Sequence, residues 1–282
     1  MKGVINYAMY GANNPFNNQL TQAELDGITA TELTNILHEL PTYKHTIIYW
    51  GPQPLATAAA DMKKLHPLPA TFKAIPEAVK FVKADQQKNQ VLFADYDMVQ
   101  TEVNWLRNST VYDPAKTGIV SLFNNYFGGG MGSVVFQTIR ESKALAYSTY
   151  AFYAPPAKKD ERYSIVAYVG SQADKMNDAI QGMNELLNDI PRSEKLLETA
   201  KKSLKQDIET ERITNDGIIF SYLAAKKLGL NTDIRKEVYA SIDKMNFDEV
   251  KQFHDQYIAN KPYTYCIVAS AKKISEDDLK KY

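Results

Sequence analysis

The sequence predicts an α/β (α+β) fold, a mixed or antiparallel sheet packed by helices. Two observations carry that expectation. Helical stretches with N-terminal capping signals and one apolar face recur along the chain, with short strand-like runs between them. Two of those runs, Leu145–Ala154 and Tyr163–Gly170, stand close enough to form a hairpin through Pro155-Pro156 and a charged tip.

Residues 21–40 read as helical. Thr21 with Glu24 and Thr29 with Glu32 are capping-box pairs, and Leu33, Ile36, Leu37 and Leu40 fall on one face. Lys44–Trp50 reads as a strand stopped by Gly51-Pro52, and Pro54–Pro69 as an alanine-rich helical piece between prolines. From about residue 78 the pattern restarts, with strand-like Ala78–Ala84 and Gln90–Tyr96 flanking the polar turn Asp85–Asn89. Asp113-Pro114 is an N-cap followed by proline at the first helical position, leading into Ile119, Val120, Leu122, Phe123 and Phe127. A glycine-rich loop, a short helix ending at Arg140 and the hairpin come next. One hairpin face would carry Leu145, Tyr147, Thr149 and Ala151; alternation leaves open whether that face or its complement turns inward. Helices are expected at about 172–189, 193–212, 215–228, 233–241 and 247–258, then a closing strand at Tyr263–Ala269.

The segment around residues 25–44 recurs near the end of the chain. Leu25-Asp26, Ile28, Glu32-Leu33, Ile36 and Lys44 reappear as Ile242-Asp243, Met245, Glu249-Val250, Phe253 and Lys261, at a constant offset of 217 positions. A repeat of that size makes 1–66 the helix–strand–helix tail of a preceding copy, 67–77 a linker and 78–282 a complete copy. The chain is then expected to begin in mid-domain.

Lys+Arg 33 against Asp+Glu 33 leaves a formal net charge of zero, which argues against nucleic acid or an anionic membrane as the main partner. No apolar run approaches the roughly 20 residues of a membrane span, and the first residues lack a signal-peptide core. The compartment stays open between bacterial periplasm and cytoplasm, depending on whether a signal precedes residue 1. The single cysteine, Cys266, excludes an intrachain disulfide and a cysteine-based zinc site.

Phe127-Gly-Gly-Gly-Met-Gly-Ser133 is the most informative stretch, followed by Ile139-Arg140-Glu141 and Leu145-Ala146-Tyr147-Ser148. Arg140 and Tyr147 lie seven residues apart across a helix-to-strand corner, so both side chains are expected to reach one cavity. A guanidinium fork and a phenol suit a peptide carbonyl and a developing oxyanion. As ordinary structure they would be a surface arginine and a sheet tyrosine. The glycine loop lacks the Gly-Lys-Ser/Thr of a P-loop and follows a helix, unlike a dinucleotide fingerprint; at minimum it turns one helix into the next. His38, His45, His66 and His254 form neither His-Glu-x-x-His nor its inversion, and no Gly-x-Ser-x-Gly elbow surrounds a serine.

The run from Phe127 to Ser148 resembles the C-terminal-half signature of the pitrilysin/insulinase family of zinc metallopeptidases, a Gly-Gly-Gly-Met-x-Ser loop followed by Arg-Glu-x-x-x-Leu-Ala-Tyr-Ser. Tyr10-Gly11, Asn14-Pro15-Phe16 and Leu20–Leu25 resemble the segment before a repeat's closing strand, and Asp113–Phe127 the helix before the loop. Ala144 departs from the glycine that many members carry there. The resemblance implies repeats of the length found above, in two-domain halves that close like a clamshell around a peptide. It places zinc, on inverted His-x-x-Glu-His plus a distal Glu, in an N-terminal half absent from this chain, so no cofactor is expected here. Arg140 and Tyr147 take the substrate-gripping roles, and Gly128, Gly129, Gly130 and Gly132 line the chamber. The implied partners are that zinc-binding half, on the same or a separate chain, and a peptide substrate. Water activated on the missing half would attack the scissile carbonyl while Tyr147 donates to the oxyanion; alone, the chain should not cleave peptides. The competing expectation is a non-catalytic peptide-binding or scaffold domain on the same fold, and a nucleotide-dependent enzyme using the glycine loop is the third.

Overall fold

The computed structural model describes residues 1–282. Its sheet is built from β1 (Gln90–Asp95), β2 (Gln100–Val111), β3 (Ser148–Ala154), β4 (Arg162–Gln172) and β5 (Thr264–Ala269), in the spatial order β1-β5-β2-β4-β3. The β3–β4 hairpin is antiparallel, as its sequence spacing requires, and β4 and β5 both run antiparallel to β2. Only β1 pairs parallel, with β5, which makes the sheet mixed.

The helices are α1 (Lys2–Tyr10), α2 (Gln22–Gly27), α3 (Ala30–Glu39), α4 (Leu55–Leu65), α5 (Thr117–Phe127), α6 (Met176–Asn188), α7 (Glu194–Thr210), α8 (Asp216–Lys227), α9 (Ile234–Ile242), α10 (Phe247–Tyr257) and α11 (Glu276–Leu279), with a π-helical turn at Phe136–Ser142. Both expected capping boxes form, at Thr21/Glu24 and Thr29/Glu32, and the second starts a new helix, so residues 21–40 are two helices broken after Gly27. Asn246 caps α10 through Glu249 with the same box. Thr29 and Asn246 are themselves 217 positions apart, so the sequence echo extends to the local structure.

One face of the sheet carries the core. Val103, Trp105, Ala151, Tyr153, Ile165, Ala167, Val169, Tyr265 and Ile267 point there and meet Phe123, Phe127, Met176, Ile180, Met183 and Phe253 from α5, α6 and α10. Each of the Val, Ile, Met and Phe side chains among them contributes about 1.5–3 kcal/mol by leaving water. The indole of Trp105 is fully enclosed and donates to Asn184 Oδ1 at 2.8 Å, so its polar edge is not left unpaired. On the hairpin the inward set is Thr149, Ala151 and Tyr153, while Tyr147, just before the strand, is half exposed. The opposite face is covered only in part: α1 lays Ala8, Val4 and Ile5 over Leu106 and Cys266.

Four features differ from the sequence reading. Strand β2, the longest and most central, and helix α1 have no counterpart in it. Lys44–Trp50 and Ala78–Ala84 are not ladder strands; one isolated bridge, Tyr43 to Lys73, stands just before the first, and no strand of this chain lies beside it. The second runs along the sheet and is held by isolated bonds, Ala84 N–H to the Met9 carbonyl at 2.8 Å and the Lys83 ammonium to the Arg162 carbonyl at 2.8 Å. Between residues 11 and 89 only Asn14, Ala58 and Gln86 are buried, so this stretch stands outside the core. No helix is long and apolar enough to cross a membrane.

Candidate functional site

The glycine loop is the C-terminal cap of α5. Gly128 N–H donates to the Asn124 carbonyl at 3.1 Å, and the Asn124 side chain makes two bonds to β3, donating to the Tyr153 carbonyl at 3.1 Å and accepting from its N–H at 2.8 Å. This lacing brings the α5 end so close to β3 that a Cβ on Gly128 would lie 2.3 Å from the Ala151 carbonyl oxygen. One on Gly129 would lie 2.8 Å from the Asn124 carbonyl oxygen. Gly130 has open space around it and Gly132 only ordinary contact with Thr199. The four glycines therefore divide. The first two are needed for packing, while Gly130 and Gly132 flank the exposed Met131 on the surface.

Ser133 closes the loop. Its hydroxyl donates to the Gly130 carbonyl at 2.6 Å, and it precedes the helical turn whose i→i+5 bond runs from Lys143 N–H to the Thr138 carbonyl. The turn is π-wound and its ladder bonds widen toward Leu145, whose N–H reaches back to Ile139. Ala144, at its end, has φ 49°, the left-handed region that favours glycine.

Arg140 projects from this turn to the surface. Its guanidinium lies over the Phe136 ring at 4.8 Å, and Nε is 3.9 Å from a Glu141 carboxylate oxygen, too far for a hydrogen bond. The fork's donors are thus uncommitted. Tyr147 is 52% exposed, and its oxygen accepts from Gln172 Nε2 at 2.7 Å. Since the oxygen is the acceptor there, the phenolic hydrogen is free to donate outward. Tyr147 and Gln172 line a shallow cleft of about 550 Å³ with Gln100, Val99, Asp174 and Lys273. Arg140 does not line that cleft, so within this chain the two side chains do not share the one cavity the sequence leads one to expect. Gln172 has no signal in the sequence, because β4 register alone brings it to Tyr147.

No three His, Cys, Asp or Glu side chains gather in a way that could hold a metal ion. The nearest approach is His45 and His66, whose Nε2 atoms stand 2.8 Å apart, with His45 Nδ1 bonded to the Tyr43 carbonyl. Two ligands do not make a catalytic zinc site, which takes three protein ligands. His254 is fully buried with Nε2 on the Leu186 carbonyl, in a structural place.

Residues 59–204 match the family description "Peptidase M16 inactive domain". An uncharacterized zinc protease of Bacillus subtilis, YmxG, is 31% identical over 87 residues, 30% of this chain and 20% of that protein. Among solved structures, a peptidase M16 inactive domain from Pseudomonas fluorescens aligns with TM-score 0.66 at 16% identity, over 95% of this chain and 65% of its own. A conserved protein from Enterococcus faecalis aligns with TM-score 0.72 at 16% identity, over 95% and 63%. The chain thus spans less than two thirds of the length of either structure and a fifth of the curated relative.

Proposed function

Because this chain belongs to the M16 zinc-protease family, through its inactive C-terminal domain, we propose that it is the substrate-gripping half of a zinc-dependent endopeptidase. It would work on peptides held in a chamber closed by a second, zinc-bearing half, on the same chain or another. Residues 1–66 would be the tail of a preceding repeat, 67–77 a linker and 78–282 the complete repeat that presents the gripping residues. No three metal-ligating side chains gather within this chain, and in this reading the zinc sits on the other half while this half contributes binding and orientation.

The observation that carries the proposal is the Tyr147–Gln172 pair. The amide donates to the phenol oxygen at 2.7 Å and leaves the phenolic hydrogen uncommitted, which suits donation to the oxygen of a tetrahedral intermediate. Arg140, with its fork free and its plane supported by Phe136, would take a peptide carbonyl or a terminal carboxylate. Closure of the second half over this surface would bring the two groups onto one substrate. Gly130 and Gly132 would leave backbone open along the chamber wall, beside the packing glycines Gly128 and Gly129.

The test is cleavage of a quenched fluorescent peptide by this chain alone and after mixing with a His-x-x-Glu-His half. We expect silence alone and activity on mixing. Tyr147→Phe and Arg140→Ala should each lower kcat/KM by about 10²–10³-fold, the usual loss for one oxyanion donor. Association of the halves without cleavage, or variants as active as the parent, would transfer the chain to the scaffold reading.

A further inference from the structure

On the sheet face opposite the core, α1 lies over β5, β2 and β1 and reaches Val166 of β4, while toward β3 the face is more open, with Tyr150, Phe152 and Tyr168 half-buried. The register of the three strands places specific side chains on that face. Gln100 pairs with Gln172; Glu102 with Gly170 and, through it, Ser148; Asn104 with Tyr168 and, through it, Tyr150; Leu106 with Val166 and, through it, Phe152. Glu102 therefore stands one same-face step, about 7 Å, from the Gln100/Gln172 edge of the Tyr147 cleft. The face continues past Glu102 into three aromatic rings. Tyr150 stacks on Tyr168 with centroids 5.0 Å apart and on Phe152 at 5.4 Å.

Gly170 keeps the middle of this face low. A Cβ there would meet the Tyr168 hydroxyl at 2.8 Å, so that ring lies down over the glycine, beside Glu102. Glu102 enters no ion pair in the structure. Its negative charge, after burial, is the second cause that holds the Tyr150 and Tyr168 hydroxyls above the usual phenol range. No cation of this chain covers either ring. Next to it the Asn104 side-chain oxygen is buried without a hydrogen-bond donor. An unpaired carboxylate beside stacked tyrosine faces lacks one thing chemically, a cation with a flat or alkyl body that can lie on the rings.

We infer that Glu102, Tyr150 and Tyr168 form a subsite for a basic side chain, arginine above all, of an extended peptide whose scissile region lies at Tyr147. The inference rests on the peptidase-half reading for its substrate, while its specificity rests on the sheet face alone. Arginine is favoured over lysine because its planar fork can engage the carboxylate while stacking on Tyr150 or Tyr168.

The test uses the full chain and fluorescein-labelled, unstructured 12-residue peptides that differ at one central position: arginine, its uncharged isostere citrulline, or glutamate. Anisotropy titrations should show citrulline binding about tenfold more weakly than arginine, and glutamate more weakly still. Glu102→Gln, a same-shape change that should leave the thermal melt in place, is expected to abolish the arginine–citrulline difference. Tyr150→Leu should reduce it without removing it. A citrulline peptide that binds as well as the arginine one, or an undiminished difference in Glu102→Gln, overturns the subsite. Cleavage of all three peptides at equal rates on mixing with the zinc half would sink the subsite and leave the peptidase-half reading standing. Charge discrimination in binding, with no cleavage on mixing, would do the reverse. No binding of any peptide at low salt would overturn the subsite, and cleavage on mixing with the zinc half would then decide the peptidase-half reading by itself.

Discussion

Gly128→Ala should destabilise the protein more than any other single alanine in the glycine loop, for a reason independent of substrate. The new Cβ would sit 2.3 Å from the Ala151 carbonyl oxygen and 2.4 Å from its nitrogen, against ordinary contact of about 3.4 Å or more, so α5 and β3 must part by about 1 Å in a close-packed region. Neither side yields cheaply. Ala151 is paired with Ala167 in the β3–β4 ladder, and Asn124 ties the α5 end to Tyr153 by two hydrogen bonds. The cost belongs at the upper end of overpacking, about 3 kcal/mol. Gly130→Ala, with nothing within 4 Å of its Cβ, should be neutral or stabilising by up to about 1 kcal/mol through the unfolded chain. Urea unfolding followed by the fluorescence of the buried Trp105 measures both, with an expected midpoint loss of about 1–1.5 M for Gly128→Ala at an unchanged slope. If Gly128→Ala unfolds within 1 kcal/mol of the parent (about 0.4 M), or if Gly130→Ala is equally damaging, the close approach of α5 to β3 is not what requires glycine here.

Ala144→Gly should stabilise by about 1 kcal/mol, because a left-handed φ of 49° strains alanine and not glycine; an unchanged or lowered melting temperature would contradict that conformation. Cys266 lies beneath α1, its thiol pushed up to about 12 by burial, so alkylation at pH 8 should be slow. Ala8→Asp should speed it more than about tenfold by opening α1, and equal labelling rates in the two proteins would mean that α1 does not cover the thiol. Burial holds the His254 imidazole below its ordinary value, against a smaller raising effect of Asp255. The unfolded chain therefore binds the proton more readily, and the contribution present above about pH 6.5 is lost as pH falls through that range toward the folded value. His254→Gln should flatten stability between pH 7 and 5, measured by urea midpoints; an unaltered pH slope would assign the acid loss to other groups.

What was legible in the sequence was mostly local. Capping boxes at Thr21 and Thr29, the Asp113-Pro114 start and the β3–β4 hairpin rest on residues within a few positions of one another, and each forms. Strand β2 escaped because it is buried on both faces yet carries Thr101, Asn104, Asn108 and Ser109 among its buried residues, which breaks the apolar alternation. Asn108 and Ser109 find distant partners, whereas Thr101 Oγ1 and Asn104 Oδ1 are buried without one. Asn108 is satisfied by the Met9 and Ala84 carbonyls and by Gln86, none of which its own neighbourhood in sequence announces. Lys44–Trp50 failed in the opposite sense: its composition suits a strand, but a strand exists only beside another.

The candidate site divides along the same line. Arg140 and Tyr147 were visible because a motif places both within eight residues, and the glycine requirement at Gly128 was visible as a residue type though not as a contact. Gln172, which donates to the Tyr147 oxygen, is invisible without the position of β4 beside β3. Glu102, Tyr150 and Tyr168 are more so, since they come from three strands and are ordinary strand residues in each. A one-residue slip of β4 against either neighbour would turn Tyr168 into the core and leave Glu102 facing no ring. Any selectivity for a basic side chain is consequently a property of sheet register. A core substitution that shifts register, far from Tyr147, should degrade selectivity before it degrades the phenol itself.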